Sequence, residues 1–223
     1  MTRQTKNALI VGGTSGLGFE LGTAFAKDYN VTITGRHDPH SSLTYHHLDM
    51  SAQQDLRSNL ETLLKDTGKV DLLVYAAGFY QEGTIDRLSD EDIVTMTNVG
   101  LLAPAYLLKK ILANQDGLDG FIAITSTSQW TPREYEPMYT AVKSGLAMFA
   151  NSISKDTRVK KTFVAAPAGM DTSFWKDGRD VGQFLKPAEV AQAIEQLYAD
   201  DFRYRFAKFL RYPLKVDIVE TRS

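Results

Sequence analysis

The sequence predicts an α/β fold: a doubly wound domain with a mostly parallel central sheet flanked by helices. Three observations predict it. Short apolar runs without clean alternation recur along the chain, as strands covered on both faces require. Helix-like segments separate them, so parallel strands are joined by right-handed crossovers. No repeat, low-complexity tract or linker divides the 223 residues, so residues 1–223 are read as one domain.

The elements follow in order. Ala8–Val11 reads as the first strand and Gly16–Lys27 as the first helix. Val31–Thr34 and the weaker Thr44–Leu48 are strands ahead of a helix over Ala52–Lys65. Asp71–Tyr75 is a strand, and Val99–Asn114 is a helix with Pro104 placed early enough to kink it. Strand Phe121–Thr125, helix Pro137–Lys155, strand Thr162–Ala166 and helix Pro187–Ala199 complete the series. Pro137 and Pro187 sit where a first helical turn accepts proline. Residues 200–223 are open to three roles: a last strand, a contact with a partner subunit, or a pocket wall. Within them, the segment Phe202–Tyr212 interleaves aromatic and basic residues and reads either as a base-stacking stretch or as a strand. The strand reading puts Phe202, Tyr204 and Phe206 inward and Arg203 and Arg205 in solvent, and the near-neutral chain favours it.

Lys plus Arg number 25 and Asp plus Glu 27, a net charge of −2, so nothing draws the chain generally to nucleic acid or anionic lipid. Without cysteine there is no disulfide, thiolate nucleophile or Cys-ligated zinc, which suits a reducing, cytoplasmic setting. The polar start Met1–Asn7 leads into an apolar run too short for a signal-peptide core, and Leu72–Tyr80 falls far below the roughly 18 residues of a membrane helix. A soluble, unprocessed chain is expected. The histidines, His37, His40, His46 and His47, crowd around Pro39 without the spacing of a helical metal pair, so no metal is expected.

The first strand runs into Gly12-Gly13-Thr14-Ser15-Gly16-Leu17-Gly18, and a helix follows. Glycines at such spacing serve a tight turn, close backbone approach to a pyrophosphate, and close helix–strand packing. The helix N-terminus then offers amide donors to phosphates. The alternative is a purely structural glycine turn. The next strand ends at Gly35-Arg36, where an NAD site would place a carboxylate for the ribose 2′-hydroxyl. Arg36 is either a surface arginine or a fork for a 2′-phosphate, which predicts NADP(H) over NAD(H).

Tyr139 and Lys143 stand at i, i+4 on one helix face. The same spacing occurs at Tyr106/Lys110 and Tyr204/Lys208, but only Tyr139 follows a strand ending in the hydroxyl cluster Thr125-Ser126-Thr127-Ser128. A phenol of ordinary pKa about 10 needs roughly 4 kcal/mol of extra stabilisation of its anion to exchange protons near pH 7. A neighbouring ammonium acts in that direction, and a serine hydroxyl can polarise a carbonyl.

With these residues in place, the chain resembles the short-chain dehydrogenase/reductase family over roughly residues 7–199. The series is the Gly12/Gly16/Gly18 loop, Asp49, Tyr75-Ala76-Ala77-Gly78, Asn98, Ser126, Tyr139 with Lys143, and Pro167-Ala168-Gly169-Met170-Asp171-Thr172. The resemblance implies a Rossmann-type domain and hydride transfer between NADP(H) and a small carbonyl or alcohol. It implies Tyr139 as general acid or base, Lys143 on the nicotinamide ribose, Ser126 on the carbonyl, and Asn98 on a water leading to Lys143. It places Asp49 at the adenine, Ala76, Ala77 and Gly78 behind the adenosine ribose, and Pro167, Met170 and Thr172 on the nicotinamide side, with Thr14, Ser15 and Leu17 in the phosphate loop. It also implies a homodimer or homotetramer built on the helices that carry Gly100, Ala103, Ser144, Gly145 and Ala147.

The chain departs from the family at Val11 (usually threonine), at Tyr75-Ala76 (usually Asn-Asn), at Ala168 (usually glycine) and at Ser15, which is not the basic residue of some NADPH members. On the substrate side, Ser173–Leu185 is expected to close over the pocket, with hinges at Gly178 and Gly182. Gln129, Trp130, Arg133, Tyr135 and Trp175 are wall candidates, and an aromatic wall favours an apolar carbonyl compound, whereas Arg133 or Arg179 would recruit a carboxylate. The rival reading is a non-catalytic NADP(H)-binding regulator on the same fold. A nucleotide-sugar epimerase or dehydratase is disfavoured by the few residues left after Thr172 for a substrate domain.

Overall fold

The computed structural model describes residues 5–172, 174, 182–211 and 213–223. The first half holds β1 (Lys6–Val11), α1 (Gly16–Phe25), β2 (Tyr29–Gly35), β3 (Thr44–His47), α2 (Gln53–Thr67), β4 (Leu72–Tyr75) and α3 (Asp90–Thr97). The second holds α4 (Ala103–Asn114), β5 (Leu118–Ile124), α5 (Pro137–Ile153), β6 (Val159–Pro167), α6 (Pro187–Ala199), β7 (Tyr204–Leu210) and β8 (Lys215–Arg222). The strands form one sheet in the order β3-β2-β1-β4-β5-β6-β7-β8, parallel throughout except for the antiparallel pair β7/β8. The strand order reverses at β1/β4, and a crevice opens at the carboxyl ends there.

Alternate residues of β1 feed opposite faces of the sheet, which is why the strand shows no polar alternation. Leu9 and Val11 pack with Leu56, Leu60 and Leu63 of α2, Leu107 and Ile111 of α4, and Leu146 of α5. Ala8 and Ile10 pack with Leu17, Leu21 and Phe25 of α1 and Val190, Ala191 and Ile194 of α6. Among the described residues no helix is long and apolar enough to cross a membrane.

Three stretches differ from expectation. Helix α3 was not foreseen, although Ser89 and Asp92 form a reciprocal cap in which the Asp92 N–H donates to Ser89 Oγ and the Ser89 N–H donates to Asp92. Pro104 marks a widened turn: residues Asn98–Leu102 form a π-helical turn between α3 and α4, where the Ala103 N–H reaches back to the Asn98 carbonyl. Strand β8 was also missed, and with it the burial of Arg205. Arg205 is not solvated. It donates to Asp200 at 2.6 Å and to the Leu197 carbonyl at 2.7 Å, with its guanidinium 4.5 Å from the Phe202 ring centre. It therefore ties the end of α6 to β7. Arg205→Ala should cost about 2 kcal/mol through lost charge-assisted hydrogen bonds, a fall in Tm of about 4–8 °C by calorimetry.

The small residues named for subunit pairing serve contacts within the chain. Gly100 lies against Val142, where a Cβ would come within 2.8 Å of the valine, and Ala103 is fully buried. The Ser144 hydroxyl donates to the Gln129 carbonyl at 2.7 Å.

Candidate active site

The loop after β1 is shaped by contacts that leave no room for side chains. Gly12 has φ of 81°, and a Cβ there would lie 2.5 Å from the Ala77 backbone. A Cβ on Gly18 would lie 2.1 Å from the Gly12 carbonyl oxygen. The first turn of α1, the loop and the segment after β4 are thus in direct backbone contact. The Gly12 and Gly13 N–H groups both donate to the Thr34 carbonyl, at 3.1 and 2.9 Å, so the loop is pinned to β2 although Val11 carries no hydroxyl.

A cavity of about 460 Å³ opens along the carboxyl ends of the strands. It is lined by Gly12, Thr14, Ser15, Gly16, Leu17 and Gly18, by Arg36 and Asp49, and by Ala76, Ala77 and Gly78. Ser126, Tyr139, Lys143, Pro167, Met170 and Thr172 line it too. The cradle left open by Gly12 and Gly18, and a guanidinium in place of a carboxylate at the end of β2, fit a phosphorylated dinucleotide. Asn98 stands apart from this wall. It is 1% exposed, and its carboxamide donates to the Ser51 carbonyl at 2.9 Å. It fixes the π-helical turn whose next residue, Val99, lines the cavity.

Tyr139 is half-buried between Tyr80 and Phe174, with ring centres at 5.2 and 6.1 Å. Burial pushes its phenol pKa up, and a hydrogen bond with Ser126 opposes the rise. Lys143 is 4% exposed and donates to the Ile124 carbonyl at 3.0 Å. Its Nζ lies 5.7 Å from the Tyr139 ring centre, and burial lowers its pKa to about 8. The polypeptide alone therefore raises the phenol, the reverse of the shift the Tyr–Lys spacing suggested, because desolvation outweighs the Ser126 hydrogen bond and the Arg133 charge that oppose it. Asp49 is held low chiefly by the Ser51 backbone N–H at 2.9 Å, with Arg36 adding to the effect. Glu136, at the head of α5, accepts from the Ser128 hydroxyl at 2.8 Å and pairs with Arg133 at 3.6 Å.

A family model described as short chain dehydrogenase matches residues 6–181. The chain belongs to this family. Human 3-oxoacyl-[acyl-carrier-protein] reductase is 26% identical over 212 residues, 85% of this chain and 89% of that protein. Carbonyl reductase family member 4 of Xenopus laevis is 24% identical, with coverage of 85% and 89%. Among solved structures, the alcohol dehydrogenase of the archaeon Thermococcus sibiricus, complexed with 5-hydroxy-NADP, superposes with a TM-score of 0.78 at 25% identity, covering 93% of this chain and 97% of that one. A short-chain dehydrogenase from Sphingobium yanoikuyae in complex with NADPH shares the fold, with a TM-score of 0.78, 18% identity, and coverage of 91% of this chain and 87% of that one. This short-chain dehydrogenase is thus a member of an oxidoreductase family with a Rossmann-type sheet.

The three Tyr/Lys pairs separate by surroundings. Tyr106 accepts from Arg57 and Lys110 pairs with Glu61. Tyr204 lies under Arg222, and Lys208 sits over Trp130. Only Tyr139/Lys143 lines the cavity. Tyr75, in place of the family's asparagine, is fully buried, and its hydroxyl donates to the Val99 carbonyl in the π-helical turn. Of the wall candidates, Arg133 lines the cavity. Trp130 instead packs on Phe206, and Tyr135 is 51% exposed, so neither is a wall residue. Trp175, Gly178 and Arg179 lie outside the described residues. Phe79, Tyr80 and Glu136 line the cavity without having been named, whereas Phe184 comes from the segment expected to close over the pocket and Arg211 from residues 200–223, for which a pocket wall was one of three roles. Phe79-Tyr80 directly follows the Tyr75–Gly78 motif and was within reach of the sequence; the place of Arg211 depends on the register of β7 against β6. Among the described residues no group of three or more His, Asp or Glu could hold a metal.

Proposed function

We propose that this short-chain dehydrogenase is a cytoplasmic, single-domain NADP(H)-dependent oxidoreductase that reduces a small carbonyl compound or oxidises the corresponding alcohol. The observation that carries the reading is the phenol of Tyr139, bonded to Ser126 and one turn from buried Lys143, in the same cavity as the glycine cradle and Arg36. Four cations and two carboxylates line that cavity, a balance that suits an anionic ligand. When bound, NADP(H) supplies or accepts the hydride.

The chain's own residues do the rest. Ser126 holds the carbonyl oxygen as charge develops on it. Tyr139 gives that oxygen its proton in reduction and removes it in oxidation. Burial keeps the phenol protonated at neutral pH, the form reduction needs. Lys143 holds the ribose side of the cofactor and brings a positive charge towards the phenol. Asn98 acts as a positioning residue through Ser51, in addition to the water contact the family resemblance implies. Tyr80 and Phe174 keep water from the reacting carbon. A homodimer is part of the proposal, and light scattering at micromolar concentration tests it.

The reading is tested by a panel of carbonyl compounds followed by loss of NADPH absorbance. Inertness across the panel with tight NADPH binding would turn it to a non-catalytic NADP(H)-binding regulator. Arg36→Asp should lower the NADPH-to-NADH preference by about 10- to 100-fold, since a carboxylate would repel the 2′-phosphate the guanidinium attracts. An unchanged preference would make Arg36 a surface arginine. The pH profile carries a sign. Lys143 is charged below about 8 and neutral above it, so reduction should be flat from about pH 6 to 7 and fall as pH rises through 8. A profile that rises through pH 8 would count against the role of Lys143.

A further inference from the structure

We propose that Arg211 is the substrate-side anion anchor, taking a carboxylate on the carbonyl substrate; the proposal rests on the reductase reading above. Arg211 follows directly on β7, which pairs with β6 so that Pro167 stands opposite Phe209 and the Ala168 N–H donates to the Phe209 carbonyl at 2.8 Å. That register brings Arg211 over Gly169 at the cavity wall, where even a Cβ on the glycine would come within 2.6 Å of the guanidinium. The guanidinium carbon lies 4.3 Å from the Phe184 ring centre. Stacked in this way, its face is covered and its N–H edges are left to bond in plane.

The other cations of the cavity are committed. Arg133 pairs with Glu136, and Lys143 donates to the Ile124 carbonyl. Arg36 stands at the end of β2, five strand spacings from β7, or about 24 Å at ~4.8 Å each. Among the described residues no carboxylate pairs with Arg211. Among the described residues, then, the guanidinium borders the pocket without an ion-pair partner, beside the aromatic rings of Phe174, Tyr80 and Phe184 and the apolar Met170. Such a pocket takes a substrate with an apolar body, a carbonyl near Tyr139 and an anionic end at Arg211. The planar fork matches a carboxylate bidentately.

The test compares wild type, Arg211→Gln and Arg211→Lys on an oxo acid, its methyl ester and a phosphorylated ketone. In Arg211→Gln, kcat/KM for the oxo acid should fall about 10- to 100-fold, mainly through KM, and the acid-to-ester ratio should fall by the same factor. Arg211→Lys should lie between, keeping the charge but losing the fork. Calorimetry of the oxo acid binding to the NADP-loaded proteins gives a readout that needs no turnover. An unchanged acid-to-ester ratio overturns the proposal. So does a ratio that moves only for the phosphorylated ketone, which would make the anion a phosphate. A matching loss of NADPH affinity, read by its fluorescence, also overturns it and assigns Arg211 to the cofactor. If the wild type turns over none of the three yet binds the oxo acid in an Arg211-dependent way, the reductase reading falls and the anion site stands.

Discussion

Tyr139→Phe is expected to lower the turnover number for carbonyl reduction by about 10²–10⁴-fold, the usual contribution of a positioned proton donor. The change removes one oxygen and leaves the ring between Tyr80 and Phe174, so the cavity keeps its shape. Ser126 can still hold the carbonyl, and Lys143 is engaged with the Ile124 carbonyl; Tyr80, whose ring centre lies 5.2 Å from that of Tyr139, is the neighbouring phenol, and Tyr80→Phe serves as the control. NADPH affinity and Tm should be close to those of the wild type, because the deleted hydroxyl is one that burial already disfavours in its charged form. Initial rates, fluorescence titration with NADPH and a melting curve on the same preparation decide the matter. A variant retaining more than about a tenth of the rate would remove Tyr139 from proton transfer.

Gly18→Ala should raise the Kd for NADPH about 100-fold, equivalent to two charge-assisted hydrogen bonds of about 1.5 kcal/mol each. The added methyl would sit 2.1 Å from the Gly12 oxygen, well inside contact distance, and the neighbour is backbone rather than a flexible side chain. Relief requires the loop to move away from α1, and with it the amides that would face the phosphates. Overpacking of this kind costs about 1–3 kcal/mol, so Tm should drop by about 2–12 °C without loss of the fold. Unaltered NADPH affinity would leave the glycines as a structural turn.

The sheet was legible because its strands are apolar on both faces, and the cavity wall was legible because glycine and the Tyr–Lys spacing are local signals. What escaped depends on partners distant in sequence. Arg205 is an exception: Asp200, Leu197 and Phe202 lie within eight residues of it, but that they converge on its guanidinium depends on how the chain turns from α6 into β7. Trp130 looked like a pocket wall from its place between Ser126 and Tyr139, yet it turns to Phe206 and Lys208 of β7. Tyr75 was noted as a departure. Its use as a tie to the π-helical turn required knowing that a turn at Val99 stood within reach. Helix α3 is different: the Ser89/Asp92 cap was readable and was passed over.

The sheet order also bears on synthesis. Strand β1 ends at Val11, but its second neighbour, β4, begins only at Leu72, about 60 residues later. At about 5–20 residues per second a ribosome needs about 3–12 seconds to deliver that neighbour. During that interval one edge of the strand bearing Leu9, Ile10 and Val11 has no partner on the nascent chain, and a holding chaperone would find its most apolar segment there.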